Sequence, residues 1–382
     1  MTDGFHITGA TVLRPDGPSG EPLGVAGGHL VADRPGRALH LPGCLVLPGI
    51  VDCHGDGFER HLAPRRGAVR DMGAGLIAAE AELAANGITT AVLAQFWSWE
   101  GGMRGPDFAR EMLAALDAVA PRLDTGLLCQ LRFETHMLDD CDRLFDAVSR
   151  HGVGYVVFND HLPHRALVAG KTPPRLAGQA LKGGRSPEAH LALLRALQAR
   201  APEVPAAIEG LARRLAGRGV RLGSHDDADG ATRLAWRGRG VPISEFPETL
   251  DAARTARDGG DPVILGAPNL LRGSSHKGNL SAAEAVAQGV CDALASDYHY
   301  PAPRLAALAL ARDIGLARAW ALVSEGPARI LGLEDRGRLE PGLRADLVVV
   351  HPEDGRVGLT VAAGRVTYMS GPVAAAVLSG AR

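Results

Sequence analysis

Eight short apolar runs punctuate the middle of this chain, and each ends in polar residues or a loop before a helical pattern begins. They are Leu45–Val51, Ile88–Ala94, Gly126–Phe133, Gly154–Phe158, Gly219–Gly223, Gly240–Ser244, Pro262–Leu265 and Asp292–Ser296. Strands that are apolar almost throughout must be covered on both faces, and intervening helices supply the cover. The stretches between the runs are rich in Ala, Leu and Arg, as in GAGLIAAEAELAANG, whose closing Gly is an expected helix stop. Eight such units predict an α/β fold, a (β/α)8 TIM barrel. Residues 165–187 (RALVAGKTPPRLAGQALKGGRSP) break the rhythm with prolines and glycines and read as a long loop, a candidate lid.

The two ends of the chain differ from its middle. Residues 4–47 and the tail carry short alternating segments such as FHITGATVL, RADLVVVHP and RVTYM, the pattern of small β structure. A small β domain built from residues 1–47 plus 338–382, around a barrel over 48–337, accounts for both. The 382 residues are 46% hydrophobic, enough for a large core. A net charge of −2 gives no global signal for nucleic acid or a membrane, so any anion site must be local. The five cysteines form no CxxC pair, which argues against a disulfide framework and for a reducing compartment. The amino terminus has no secretory pattern and no apolar run reaches membrane-spanning length, so a cytoplasmic location is expected, with homo-oligomerisation left open.

In such barrels the catalytic side chains come from the carboxyl ends of different strands. Those positions hold His54 and Asp56, Glu134 with His136 beyond it, Asp160-His161, His225-Asp226-Asp227, Glu245 and Asp297. Two residues apart on an extended strand, His54 and Asp56 face the same way and suit one ion. Imidazole with carboxylate favours zinc, manganese or iron over calcium, one or two ions. Cys53 faces away from that pair and reads as core, while one of Asp226 and Asp227 is expected to serve as an N-cap.

Two basic loops follow strand ends on the same barrel face. One carries Arg60, Arg65 and Arg66; the other reads RGSSHKGN and carries Arg272, Ser274, His276, Lys277 and Asn279. Hydroxyls, backbone amides, a following helix and a point charge are the ingredients of a phosphate cradle, and arginines add bidentate contacts. An anionic substrate follows.

With LPGIVDCHGD, SHDDA, GAPNLLRGSSHKGNLSAAE, ASDYHYPAP and RGRLEPGLRADLVVV in place, the chain resembles the amidohydrolase superfamily along essentially its whole length. Within it the resemblance is to the branch that hydrolyses the 5-triphosphate of α-D-ribose 1-methylphosphonate in phosphonate metabolism. The resemblance implies a urease-like β-sandwich from the two termini. It also implies that His54, Asp56 and Asp297 hold one metal, that Glu134 bridges, and that His161 and His225 hold a second, with Asp297 as catalytic base. The implied reaction releases diphosphate and leaves ribose 1-methylphosphonate 5-phosphate. Two segments depart from the branch: LPHRALVAG replaces a Pro-Gly-Gln stretch after His161, and the residues after Glu134 are atypical. The alternatives are a deacetylase or cyclic amidase, or a diphosphatase acting on another phosphorylated sugar or a nucleotide.

Overall fold

The computed structural model describes residues 4–63, 71–273 and 280–379. The amino-terminal segment forms seven short strands: β1 (Phe5–Thr8), β2 (Thr11–Arg14), β3 (Gly17–Ser19), β4 (Leu23–Ala26), β5 (His29–Val31), β6 (Arg37–His40) and β7 (Leu45–Pro48). Eight strands follow in the middle: β8 (Ile50–Gly55), β9 (Ile88–Trp97), β10 (Gly126–Glu134), β11 (Tyr155–Asn159), β12 (Arg221–His225), β13 (Ile243–Glu245), β14 (Val263–Gly266) and β15 (Ala293–Ala295). The tail adds β16 (Leu347–Val350), β17 (Val357–Ala362) and β18 (Arg365–Met369).

Strands β8 to β15 form one sheet in sequence order, parallel wherever a register is defined. A further parallel bridge, Gly55 to Asp297, joins the end of the first strand to the residues beyond the last, so the eight strands make a (β/α)8 barrel. All ten residues of β9 and all five of β11 are buried, as both-faces-covered strands must be.

The chain divides into two compact units, Met1–Leu93 with Val119–Leu128 and Ile264–Arg382, and Ala94–Ala118 with Cys129–Val263. The first contains a β-sandwich. Its four-stranded sheet runs β5-β4-β1-β6 and its six-stranded sheet β18-β17-β16-β7-β2-β3. Alternating residues of the two sheets, among them Phe5, Ile7 and Leu23 against Val46, Leu347 and Leu359, make one apolar core.

The structure corrects three sequence readings. The run Leu45–Val51 is two strands: β7 pairs antiparallel with β16 in the sandwich, and the barrel starts at Ile50. Pro48 lacks an N–H, and Gly49 lies where a Cβ would come 2.4 Å from Oγ1 of Thr89, so the chain changes sheets there. Residues 165–187 are not an uninterrupted loop. They include most of a short helix at His164–Val168 and all of another at Leu176–Lys182; Leu176 packs with Trp99, Leu162 and Leu194, and Arg185 donates to the carbonyls of Trp99 and Glu100. The helix after β12 starts at Gly230 and is capped by Asp229, which accepts from Thr232 N–H; neither Asp226 nor Asp227 caps it.

Candidate active site

In the first unit the site is built on the latch between β8 and Asp297. The Asp297 N–H donates to the His54 carbonyl at 3.0 Å, and the Asp56 N–H donates to the Asp297 carbonyl at 2.8 Å. The register of β8 on β9 shifts between Asp52 and Gly55, an irregularity that bends the strand around His54. Asp297 has φ of 54°, a left-handed conformation costly for most residues and tolerated best by Asn and Asp. Behind it, buried Asp52 accepts from the Ser296 N–H (2.9 Å) and hydroxyl (2.5 Å). Burial pushes the Asp52 carboxyl above the usual range, against the hydrogen bonds from Ser296.

Arg60 and Arg272, one from each basic loop, converge next to this latch. Arg60 donates to the Tyr298 carbonyl (3.3 Å), and its guanidinium lies over the Tyr300 ring. Arg272 donates to the Tyr298 hydroxyl at 2.8 Å. Both predicted basic loops therefore reach the residue that follows Asp297. Arg60 also pairs with Glu82. The short helix Ala282–Ala287 has its first N–H occupied by the Asn269 side chain at 3.1 Å, so that amide is already used. Arg65, Arg66, Ser274, His276, Lys277 and Asn279 lie outside the described residues.

In the second unit, parallel register sets Glu134 opposite Asn159 and His225 opposite Glu245. Glu134 is fully buried; its Oε1 lies 2.5 Å from His161 Nδ1, and its Oε2 accepts from the His161 N–H (3.1 Å) and Trp99 Nε1 (3.2 Å). Burial alone would lower the His161 pKa, but the charge and hydrogen bond of Glu134 prevail and raise it. His225 Nδ1 lies 3.2 Å from Asp226 Oδ2, and the same oxygen is 3.9 Å from His161 Nε2. Burial raises the Asp226 carboxyl, yet His225, His161 and Arg132 together hold it far below the carboxylate range. Donor atoms of His161, His225 and Asp226 fall within 4.8 Å of one another, a grouping able to hold a metal ion. A cavity of about 340 Å³, bordered by His161, His225, Asp226 and Trp236, opens beside them.

The amidohydrolase family model matches residues 211–371. The chain is also 32% identical, over 340 residues, to the alpha-D-ribose 1-methylphosphonate 5-triphosphate diphosphatase of Escherichia coli (strain K12), a match spanning 84% of this chain and 87% of that protein. This chain belongs to the amidohydrolase family. A shorter match, 35% over 130 residues and 31% of each chain, is to imidazolonepropionase of Ruegeria sp. (strain TM1040). Among solved structures, N-acetylglucosamine-6-phosphate deacetylase from Thermotoga maritima aligns with TM-score 0.63 over 96% of this chain and 100% of that one at 16% identity. Beta-aspartyl dipeptidase from Fervidobacterium islandicum AW-1 aligns with TM-score 0.59 over 96% and 99% at 14% identity. Those identities speak for the fold alone.

This amidohydrolase is a hydrolase, and its structure adds one site residue that strand-end reading passed over and gives others a different part. Arg132 lies two residues before Glu134 and so shares its face of β10; its guanidinium donates to His225 Nε2 at 3.0 Å and rests 3.9 Å above the Phe96 ring. The alternation of β10 was the available signal. Asp226, read as a possible cap, instead faces both imidazoles with φ of 59°. Glu245, noted at a strand end but left out of the ligand set, is fully buried and accepts from Gln130 Nε2 (2.7 Å) and the Tyr155 hydroxyl (2.6 Å). Asp227 is structural: it accepts from Ser224, Ser244 and Arg233.

Proposed function

We propose that this amidohydrolase cleaves the triphosphate of α-D-ribose 1-methylphosphonate 5-triphosphate, giving ribose 1-methylphosphonate 5-phosphate and diphosphate, with one or two divalent ions, zinc first. The observation that carries this reading is the 32% identity across 84% of the chain with the E. coli diphosphatase. The placement of Arg272 and Arg60 at Tyr298 supports an anionic substrate, Arg272 more directly, since Arg60 is already paired with Glu82.

The donor chemistry fits a divalent transition ion: imidazoles and carboxylates, with His54 and Glu134 buried and three partly exposed donors grouped at His161, His225 and Asp226. His54, Asp56, Glu134, His161, His225 and Asp297 are the proposed ligands. A bound divalent ion supplies Lewis acidity toward phosphoryl oxygen and makes water a better acid.

In the reaction, water adds across the anhydride between the first and second phosphates. One new P–O bond forms and the bridging P–O bond breaks. The Asp297 carboxylate takes the proton from the attacking water, from a position its two backbone hydrogen bonds fix. Arg272, Arg60, Arg65, Arg66 and Lys277 offset charge on the phosphate oxygens, and Ser274, His276 and Asn279 donate hydrogen bonds to them. In this reading residues 1–47 with 338–382 are the accessory β domain and 48–337 the catalytic barrel.

The test is incubation of zinc-loaded full-length protein with the triphosphate, following phosphorus-31 resonances. Appearance of diphosphate and the 5-monophosphate is expected. No diphosphate, alongside deacetylation of N-acyl amino sugars, would reverse the assignment.

A further inference from the structure

Just beyond the proposed ligands of β10 and β11 lies a second group of donors. His136 follows Glu134 by two residues, Asp160 precedes His161, and His164 opens the next short helix. His164 Nε2 lies 2.8 Å from Asp160 Oδ1 and 2.9 Å from Oδ2, and His136 Nδ1 lies 3.6 Å from the same Oδ1. The two imidazoles are tilted at 53° with centroids 5.1 Å apart. One donor atom from each of the three residues falls within 4.8 Å of the others.

We propose that His136, Asp160 and His164 form an additional site for a divalent transition ion of the zinc class, separate from the six proposed catalytic ligands. Three features carry it. The first is spacing: two donors on one tetrahedral zinc, each at about 2.0–2.1 Å, stand roughly 3.3 Å apart, and the observed 2.8 and 3.6 Å bracket that value.

The second is the orientation of His164. Its Nδ1 faces Gln198 Oε1 at 2.7 Å while its Nε2 faces the Asp160 carboxylate, so both ring nitrogens meet acceptor oxygens. A neutral imidazole has one N–H and one lone pair. Two acceptors call for a positive charge on or beside the ring: a second ring proton, or, with Nδ1–H given to Gln198, a metal cation at Nε2 in that proton's place. A hydrogen bond from the non-ligating nitrogen is how metal-binding histidines are held.

The third is His136, only 3% exposed: its Nδ1 lies 3.3 Å from the Thr135 hydroxyl, and its Nε2 has no hydrogen-bond partner among the described residues. The Thr135 hydroxyl therefore satisfies only one nitrogen of this buried polar ring. The Leu162 N–H fixes Asp160 Oδ1 at 3.2 Å, and the side chains of Asp160 and His164 stay 40% and 38% exposed. Ions can therefore enter from solvent, and with three protein ligands a fourth position is left for water or an anionic oxygen.

The assignment stands apart from the proposed reaction, because its readout is metal stoichiometry and not turnover. Metal-free full-length protein is titrated with zinc chloride, and bound zinc per chain is counted by elemental analysis in the parent and in a His136→Gln/His164→Gln variant. The variant is expected to bind one equivalent fewer, and the cobalt-loaded form to lose one set of visible d–d bands. Should the double variant fail to fold, Gln198→Leu, which removes only the bond to His164 Nδ1, is expected to weaken one class of zinc site about 10–100-fold. Equal stoichiometry in parent and folded double variant, or unchanged affinities in Gln198→Leu, overturns the site.

Discussion

The carboxylate of Glu134 lies 2.5 Å from Nδ1 of His161, and its other oxygen accepts from the backbone N–H of the same residue. One buried acid thus fixes both the ring and the chain of a proposed ligand just beyond the end of the neighbouring strand β11. Glu134→Gln keeps the shape and removes the charge. It is expected to weaken zinc binding by about 10–100-fold, the range for losing a supporting carboxylate, and by more if Glu134 itself bridges two ions. Chelator competition measures this; unchanged affinity removes Glu134 from the set.

Asp297→Asn is expected to lower kcat by about 10²–10⁴-fold, the usual contribution of a general base. Asn tolerates the left-handed φ of 54° nearly as well as Asp, and the two backbone hydrogen bonds do not involve the side chain. The variant should therefore unfold at the parent's denaturant midpoint. Retained turnover, or a collapse of stability, contradicts the role.

Arg272→Ala tests the anionic substrate. Losing one charge-assisted hydrogen bond of about 1.5–3 kcal/mol is expected to raise KM for the triphosphate about 10–100-fold. Tyr298→Phe, which removes the hydroxyl that accepts from Arg272, should show a smaller effect in the same direction. A KM unchanged in both variants detaches the basic loops from the substrate.

The barrel was legible because period and length both speak for it: β9 and β11 are mostly apolar and buried throughout, and only a sheet covered on both faces makes such strands. The switch at Pro48-Gly49 was not, because sequence shows one apolar run where tertiary packing against Thr89 requires two strands. His54, Asp56, Glu134, His161, His225 and Asp297 could be listed from strand ends. Arg132 could not, since a charge inside a buried strand reads as an anomaly until His225 and Phe96 appear as its partners. Asp226 and Asp227 are adjacent and chemically identical, and only the backbone turn at φ 59° sends one to the imidazoles and leaves the other in the core.

Glu82 links the basic loop to acid stability. Burial would raise its pKa, but hydrogen bonds from His61 and Arg60 and the Arg60 charge bring it below the ordinary carboxylate value. A depressed carboxylate contributes stability above its unfolded pKa of about 4.3, and loses it as pH falls through the lower folded value. With Arg60 44% and Glu82 31% exposed, solvent screening limits the term to about 1 kcal/mol or less. Glu82→Gln is expected to lower stability by that amount at pH 7, with the difference closing below about pH 4. Urea unfolding at the two pH values checks the sign; a gap that widens in acid contradicts it.

The ends of β12 and β13, which carry His225 and Glu245, are tied together by Arg233. That side chain is fully buried, donates to the Ser224 hydroxyl (2.9 Å), to Asp227 (3.1 Å) and to the Val241 and Ile243 carbonyls, and lies 3.4 Å from Asp261. Burial lowers its pKa, opposed by the charges of Asp227 and Asp261. Arg233→Met leaves Asp227 buried at 0% exposure without its cation, and removing one partner of such a pair costs about 3–5 kcal/mol. Adding Asp227→Asn to the same chain removes the stranded charge and should recover part of that loss, since Ser224 and Ser244 can still bond an amide. Equilibrium unfolding of the two single variants and the double variant closes the cycle. A double variant no more stable than Arg233→Met would mean that Arg233 acts through its hydrogen bonds to Val241 and Ile243, and not through the charge of Asp227.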